Sequence, residues 1–241
     1  MVAQQPKLVD DTYSRKNTYT LFAEYSNDSS HILLGAARQR KLADFGGAYT
    51  RRVARFWGSD LGYHVEVRPV LFESDPLENF SETTVITSGT EAGLTNTVTF
   101  SGAPGGSCKP SSSSGSIPAQ PPDQPSFTYT DTTTCGRQWT FGQAFSPIGF
   151  KYSTRTRHAV QPFLVGTLGY MYTSRPVPVS DAEAFNFIFN IGAGIEVFKS
   201  VQTKRSVSLE CRYNHFSNRN TAPDNPGTDN VMFKASYSFG R

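Results

Sequence analysis

Three residue types that together can carry out nucleophilic catalysis lie close together near the end of this 241-residue chain. His215 and Ser217 are two residues apart, and in a β-strand this spacing places both side chains on the same face. Residues 207–217 alternate, and the odd positions before the histidine are Val, Leu, Cys and Tyr. Two reactive polar groups at the end of an apolar stripe favour a functional site.

The next segment supplies a carboxylate. Residues 231–239 alternate cleanly, and Asp229 has the parity of their apolar face if the strand extends back that far. The connection 218–228 contains Pro, Asp, Asn and Gly, which are strong turn residues, so the two strands are predicted to form a hairpin. A serine, a histidine and a carboxylate on one face of a hairpin indicate a nucleophilic catalytic site.

Alternating segments recur along the chain, with abundant Gly, Ser, Thr, Tyr and Phe, and they predict an all-β fold. No run of about 18 apolar residues is present, so a transmembrane helix is not expected, although barrel strands would escape that criterion. Eight strands are predicted, at about residues 18–26, 41–53, 62–72, 138–152, 159–172, 184–198, 207–217 and 229–239.

Connection lengths point to the architecture. The connections predicted at about 27–40, 73–137, 173–183 and 218–228 share one end and are longer than those at the other end. Short turns at one end and long loops at the other are typical of outer-membrane barrels. We therefore predict an eight-stranded antiparallel transmembrane β-barrel, with a periplasmic N-terminal segment at 1–17, a single barrel domain at 18–241 and one long extracellular loop at 73–137. Its Ser-, Pro- and Gly-rich part, 102–125, is predicted to be disordered.

Charge placement supports a barrel with a polar interior. Charged residues occupy the strand face opposite the aromatic and aliphatic one, where they can pair inside a lumen: Glu24, Glu66, Arg68, Glu196, Glu210, Arg212 and Lys234. Eight strands leave an interior filled by side chains, so porin-like conduction is not expected. A soluble lipocalin-like barrel, which would have apolar residues inside, is the alternative fold.

Composition excludes several function classes. A net charge of +3 is too small to indicate nucleic-acid binding, and no spacing indicates a zinc site or a phosphate-binding glycine loop. The basic cluster at 38–41 is either solvated charge at a strand end or a contact for phosphorylated lipid head groups. The start of the chain shows no complete signal peptide.

The three cysteines differ in setting. Cys108 and Cys135 flank the low-complexity segment and are predicted to form a disulfide, which would close a loop of about 27 residues in an oxidising compartment. Cys211 lies mid-strand on the apolar face and is interpreted as a small hydrophobic residue.

The stretch from Arg212 to Asn218, the turn from Pro223 to Gly227, and Asp229 resemble the lipid A 3-O-deacylase family of outer-membrane enzymes. The shared pattern is His-x-Ser-Asn, a turn containing Pro, Asn and Gly, and an acid 14 positions after the histidine. The family usually has Glu where this chain has Asp229, and the long excursion with its cysteines does not match the family.

The resemblance implies a bacterial outer-membrane serine esterase that removes the 3-O-linked acyl chain of lipid A. Ser217 would be the nucleophile, His215 the general base, Asp229 the orienting acid, and Asn218 either an oxyanion donor or simply a turn residue. The substrate would be lipopolysaccharide in the outer leaflet, with no cofactor and no metal, and the oligomeric state is left open. The alternatives are a non-enzymatic barrel for adhesion or membrane structure, and an esterase of the same site that acts on phospholipids.

Overall fold

The protein is described by a computed structural model that covers residues 12–120 and 124–241. Within these ranges no helix has the length and apolarity needed to cross a membrane. The described residues form ten strands: β1 (Asn17–Ser26), β2 (Lys41–Phe56), β3 (Ser59–Ile86), β4 (Thr95–Gly102), β5 (Ser111–Ile117), β6 (Phe127–Ser153), β7 (Val160–Val177), β8 (Glu183–Phe198), β9 (Ser206–Ser217) and β10 (Thr228–Gly240).

Eight of the strands form a closed antiparallel ring. The order is β1, β2, β3, β6, β7, β8, β9 and β10, and β10 pairs again with β1. Pairing of β3 with β6 brings together the parts of the chain that precede and follow the predicted long loop at 73–137. The prediction of an eight-stranded antiparallel barrel is confirmed, and the predicted strands overlap the observed ones throughout.

The two faces of the ring differ sharply in polarity. Large apolar side chains are exposed on the outer face of every ring strand, including Leu21, Phe45, Val67, Ile148, Leu168, Ile195, Leu209 and Phe233. All seven charged residues predicted for the interior are buried. An apolar exterior around a charged interior is the arrangement that lipid contact requires, and it is the opposite of a lipocalin-like barrel.

The buried charges compensate one another around Glu66. Its carboxylate accepts two hydrogen bonds of 3.0 Å from the guanidinium of Arg212, and further bonds from Arg68 and Lys234. Arg68 also contacts Glu24 at 2.7 Å. A buried charge is tolerated when it is paired and hydrogen-bonded, so this network fills the middle of the barrel.

An apolar cluster fills the lumen on the side of the β9–β10 hairpin connection. Phe216 from β9 and Met232 from β10 are almost fully buried there, and they belong to one cluster with Leu42, Leu71, Ala144, Met171, Val177 and Ile188. Phe216 lies between His215 and Ser217 in the sequence, and its inward side chain anchors this part of β9 in the cluster.

The opposite end of the barrel is covered by the chain before β1. Arg15 is buried there and bonds to Glu196 and Ser206, and the backbone N–H of Tyr13 donates to Thr156. The prediction of a separate N-terminal segment at 1–17 lies partly outside the described residues, because 1–11 are not among them. The described part of that segment is bonded into the barrel end.

The prediction that residues 73–137 form a loop without regular structure was wrong. The region expected to be a long loop is largely sheet, because β3 and β6 continue past the ring as a paired hairpin as far as Ile86 and Phe127. The two short strands β4 and β5 add to its two edges. We call this four-stranded sheet, residues 77–136, the extension. Strand β5 lies inside the part predicted to be disordered, and its Ser-rich sequence is held by pairing with β6 rather than by a core.

Cys108 and Cys135 are joined by a disulfide that ties the extension to its own base. Arg40, from the connection between β1 and β2, lies beside it and is fully buried. Its guanidinium donates to the carbonyls of Arg38, Gly106, Pro104 and Pro178. Burial lowers the pKa of Arg40, and the nearby Asp75 opposes that shift. Arg40 therefore does not face solvent or lipid head groups.

Candidate active site

The candidate site lies where β9 ends and β10 begins. His215 and Asp229 are directly paired across the two strands. Their Nδ1 and Oδ1 atoms are 2.7 Å apart. An ionised carboxylate can only accept, so this contact places the proton on Nδ1 and leaves Nε2 as the basic atom of a neutral imidazole.

Asp229 is fully buried, although its side chain points to the outer face of the barrel. It is covered by the connection between β1 and β2, whose backbone N–H groups at Ile32, Leu33 and Leu34 donate to Oδ2 at 3.2, 2.7 and 2.9 Å. The hydroxyl of Tyr213 donates to Oδ1 at 2.7 Å. The carboxylate thus accepts five hydrogen bonds, counting the one from His215, and all of its donors other than the imidazole are uncharged.

The strand register explains how an aspartate can stand where the resemblance leads us to expect a glutamate. Directly opposed residues of an antiparallel pair have Cβ atoms only about 4.5–5.5 Å apart. Asp229 stands directly opposite His215, so the short side chain reaches the imidazole without a further methylene. Tyr213 lies one diagonal position away, within the range of an aromatic side chain on the same face.

Ser217 lies on the same outer face, at the last position of β9, and is partly exposed. Among the described residues its hydroxyl has no hydrogen bond to the imidazole of His215. Catalytic hydrogen bonds are often long before substrate binds, and a rotation of the serine side chain changes this distance. The structure therefore brings the histidine and the acid into contact and places the serine on the same strand face.

Asn218 is almost fully buried in the β9–β10 connection. Its Nδ2 donates to the carbonyl of Asp224 at 3.0 Å, and its Oδ1 accepts from the N–H of Asn220 at 3.0 Å. These bonds match the interpretation of Asn218 as a residue that holds the turn. They use one of its two amide protons, so a role towards an oxyanion stays a prediction.

Two other features shape the site. Gly227 has a φ of +58°, and a side chain there would approach the Cε1 atom of His215 at 3.1 Å. On the other side, β8 places Phe189 opposite His215 and Phe187 opposite Ser217. The histidine and serine therefore border aromatic side chains on the outer wall of the barrel.

The other sequence features do not form competing sites. His64 is buried in the lumen network against Thr50 and Glu66, and His31 bonds to the carbonyl of Gly35. In the part of the chain that the structure describes, no three His, Cys, Asp or Glu side chains form a group suited to a metal ion.

Sequence reasoning missed the groups that hold Asp229. Tyr213 shares the parity of His215 and was available as a candidate, but it was interpreted only as part of the apolar stripe. The contribution of residues 32–34 comes from backbone atoms, which no side-chain pattern reveals. The one available signal was an apolar Ile-Leu-Leu-Gly run inside an otherwise polar connection.

Comparison with known proteins places the chain in a family. The family model described as lipid A 3-O-deacylase (PagL) matches residues 118–238, about half of the chain, and this range includes β6 to β9, nearly all of β10 and the four predicted residues His215, Ser217, Asn218 and Asp229. The first five strands, and the connection between β1 and β2 that contains Ile32, Leu33 and Leu34, lie outside the match.

Solved structures of similar arrangement include the outer-membrane enzyme PagL, at 11% identity and a TM-score of 0.49, covering 92% of this chain and 99% of that one. Neisserial surface protein A follows at 10% identity and a TM-score of 0.41, covering 94% and 97%. No match was found among curated protein sequences.

Proposed function

This chain belongs to the lipid A 3-O-deacylase family of hydrolases, and on that premise we propose that it removes the 3-O-linked acyl chain of lipid A by serine catalysis in the bacterial outer membrane. Ser217 is the nucleophile, His215 the general base and acid, and Asp229 the carboxylate that orients the histidine. The observation that carries the proposal is the 2.7 Å contact between His215 and Asp229 on the outer wall of the barrel. Ser217 lies two residues after His215 on the same face of β9.

The reaction proceeds in two halves. Ser217 Oγ attacks the ester carbonyl while His215 Nε2 takes its proton, and the collapse of the tetrahedral intermediate returns that proton to the 3-hydroxyl of the sugar as it leaves. Water, deprotonated by the same imidazole, then hydrolyses the acyl-serine. The products are a free 3-hydroxy fatty acid and a lipid A with one chain fewer, and no cofactor takes part.

The position of the site fits a lipid substrate. Three of the four connections at its end of the barrel, residues 27–40, 87–126 and 218–227, are longer than all of those at the other end, which are 57–58, 154–159 and 199–205. The fourth, 178–182, is shorter than two of them, contrary to the prediction. Long loops lie outside the cell in outer-membrane barrels, so the site would face the outer leaflet, where lipid A resides. A charge on the lipid face costs about 2–4 kcal/mol at the midplane but only about 0–1 kcal/mol near the interface.

The test is mass spectrometry of lipid A after incubation with detergent-folded protein, with Ser217→Ala and His215→Ala beside the wild type. We expect the loss of one 3-hydroxyacyl chain with the wild type alone. Deacylation by both variants would disprove the assignment of the catalytic residues. Breakdown of glycerophospholipid with intact lipid A would indicate a phospholipid esterase, and no lipid change at all would leave a structural or adhesive barrel.

A further inference from the structure

The connection between β1 and β2 contains a closed loop, residues 29–37, that we call the acid-binding loop. Its two ends are fastened together, because Ser29 Oγ donates to the carbonyl of Ala37 at 3.0 Å. Both ends also bond to the start of β10: Ser30 N–H donates to the carbonyl of Asp229, and Ala37 N–H to that of Gly227. The loop is thus laid along the outer wall of the barrel beside the candidate acid.

The contact with Asp229 is too close for any side chain at one position. A Cβ atom at Gly35 would lie 2.5 Å from the backbone nitrogen of Asp229, 2.7 Å from the carbonyl carbon of Thr228 and 2.9 Å from Asp229 Oδ1. Two of these are backbone atoms that cannot move aside. Glycine at 35 is therefore what allows the three N–H groups before it to reach the carboxylate.

The side chains of the same residues point away from the acid. Ile32, Leu33 and Leu34 are 39%, 68% and 66% exposed, and Leu33 and Leu34 are among the most exposed leucines of the described residues. They continue the apolar outer wall formed by residues such as Val231 and Phe233 of β10. Three consecutive exposed apolar side chains are unfavourable in water and favourable among acyl chains.

We propose that the acid-binding loop has two roles, contact with lipid and the organisation of the catalytic residues. Its backbone holds Asp229, and its apolar side chains are seated among the acyl chains of the outer leaflet. This rests on the proposed function of the same site. Residues 32–35 are positioning residues, because they touch the acid rather than the reacting ester.

The two halves of the proposal are tested by different substitutions. Leu33→Ser with Leu34→Ser removes apolar side chains and keeps the backbone, so it targets lipid contact. Gly35→Ala targets the hold on Asp229. Matched controls are Leu94→Ser, an equally exposed leucine on the extension, and Gly105→Ala, where a Cβ would have no neighbour nearer than 3.9 Å.

Two readouts separate lipid contact from chemistry. One is the deacylation of lipid A carried in phospholipid vesicles, analysed as kcat and KM. The other is the rate at which a soluble fluorophosphonate labels Ser217, which needs an activated serine but no membrane. The leucine variant is expected to raise KM by about tenfold or more, with kcat and labelling within about twofold of the wild type. Gly35→Ala is expected to lower both kcat and labelling by about a hundredfold.

Each outcome decides something. An unchanged KM for the leucine variant overturns the lipid contact, and equal losses of labelling and deacylation in that variant reduce its two leucines to a structural role. A wild type that is dimeric in detergent while the leucine variant is monomeric shows that a second copy of the chain, rather than lipid, covers the loop. Single Leu33→Ser and Leu34→Ser variants are made alongside, so that misfolding of the double variant still leaves a test. Labelling or deacylation that persists in Ser217→Ala would refute the proposed function itself, whereas failure of the loop variants alone refutes only this inference.

Discussion

Two groups of buried charge lie within a few strand positions of each other in this protein, and they are stabilised differently. Inside the barrel, Glu66 is surrounded by the cations Arg68, Arg212 and Lys234. On the outer wall, Asp229 is equally buried, but its donors are backbone N–H groups, a tyrosine hydroxyl and one imidazole.

The difference bears on what each group can do. A carboxylate neutralised by several cations is fixed, and a proton transfer at any member would leave an unpaired buried charge. A carboxylate held by neutral donors keeps its negative charge available to the one partner that can change protonation state. In the proposed mechanism Asp229 therefore stabilises an imidazolium on His215, while the lumen network contributes to stability.

The most direct way to break this comparison is Asp229→Asn. The amide keeps the shape but cannot hold Nδ1–H in the required tautomer, so we expect kcat for lipid A to fall by about 10³–10⁴-fold while the barrel stays folded. The measurement is lipid A deacylation, with folding checked by heat-dependent gel mobility. Asp181→Asn, at an exposed position, is the control. Near-normal kcat in Asp229→Asn would show that the acid is not part of the catalytic apparatus.

Glu66→Ala should have the converse effect. Removing it leaves three cations without their shared partner, and breaking a buried pair typically costs about 3–5 kcal/mol. Urea unfolding in lipid vesicles should show that loss, while molecules that remain folded deacylate within about twofold of the wild type. Glu82→Ala on the extension should change neither quantity. If folded Glu66→Ala molecules lost activity as Asp229→Asn does, the two groups would not be separable.

Tyr213→Phe sharpens the comparison within the outer group. It removes one of five hydrogen bonds to Asp229, one made to a charged acceptor, and such bonds are worth about 1.5–3 kcal/mol. We expect kcat to fall by about tenfold, with KM unchanged because Tyr213 holds the acid rather than the substrate. Replacement of the nearby outward Val231 by Ala provides the control. A change confined to KM would instead place the tyrosine in the substrate contact.

The smallest effect on activity is expected at the disulfide. Cys108→Ser with Cys135→Ser should leave kcat within about twofold, because the bridge lies in the extension rather than beside His215. Limited proteolysis should cut the extension faster in the double variant, since a closed loop of about 27 residues contributes roughly 3 kcal/mol to its local stability. Cys211→Ser, a free cysteine on the outer wall, should do neither. A large loss of deacylation would link the extension to the site.

The barrel could be predicted from the sequence because its inward and outward residues simply alternate along each strand. In β9 and β10 each residue faces in or out according to its parity, so the alternation that placed Glu210 and Arg212 inside also placed His215 and Ser217 outside. The partnership of His215 with Asp229 required only the hairpin register. The extension was not predictable in this way, because β5 is Ser- and Gly-rich and is held by backbone pairing with β6, a contact that leaves no apolar pattern. The donors to Asp229 at Ile32, Leu33 and Leu34 were missed for the same reason.

Arg40 limits how the parts of this enzyme can be exchanged during evolution. Its buried guanidinium bonds to carbonyls in the connection that carries the acid-binding loop, in the segment that follows β4, and in the turn before β8. Three loops that look independent along the chain therefore share one anchor. A chimaera that received one of these loops from another barrel would have to reproduce a carbonyl at the same place, or leave a buried cation short of an acceptor. The extension is thus expected to be inherited together with the loops beside it, as one module.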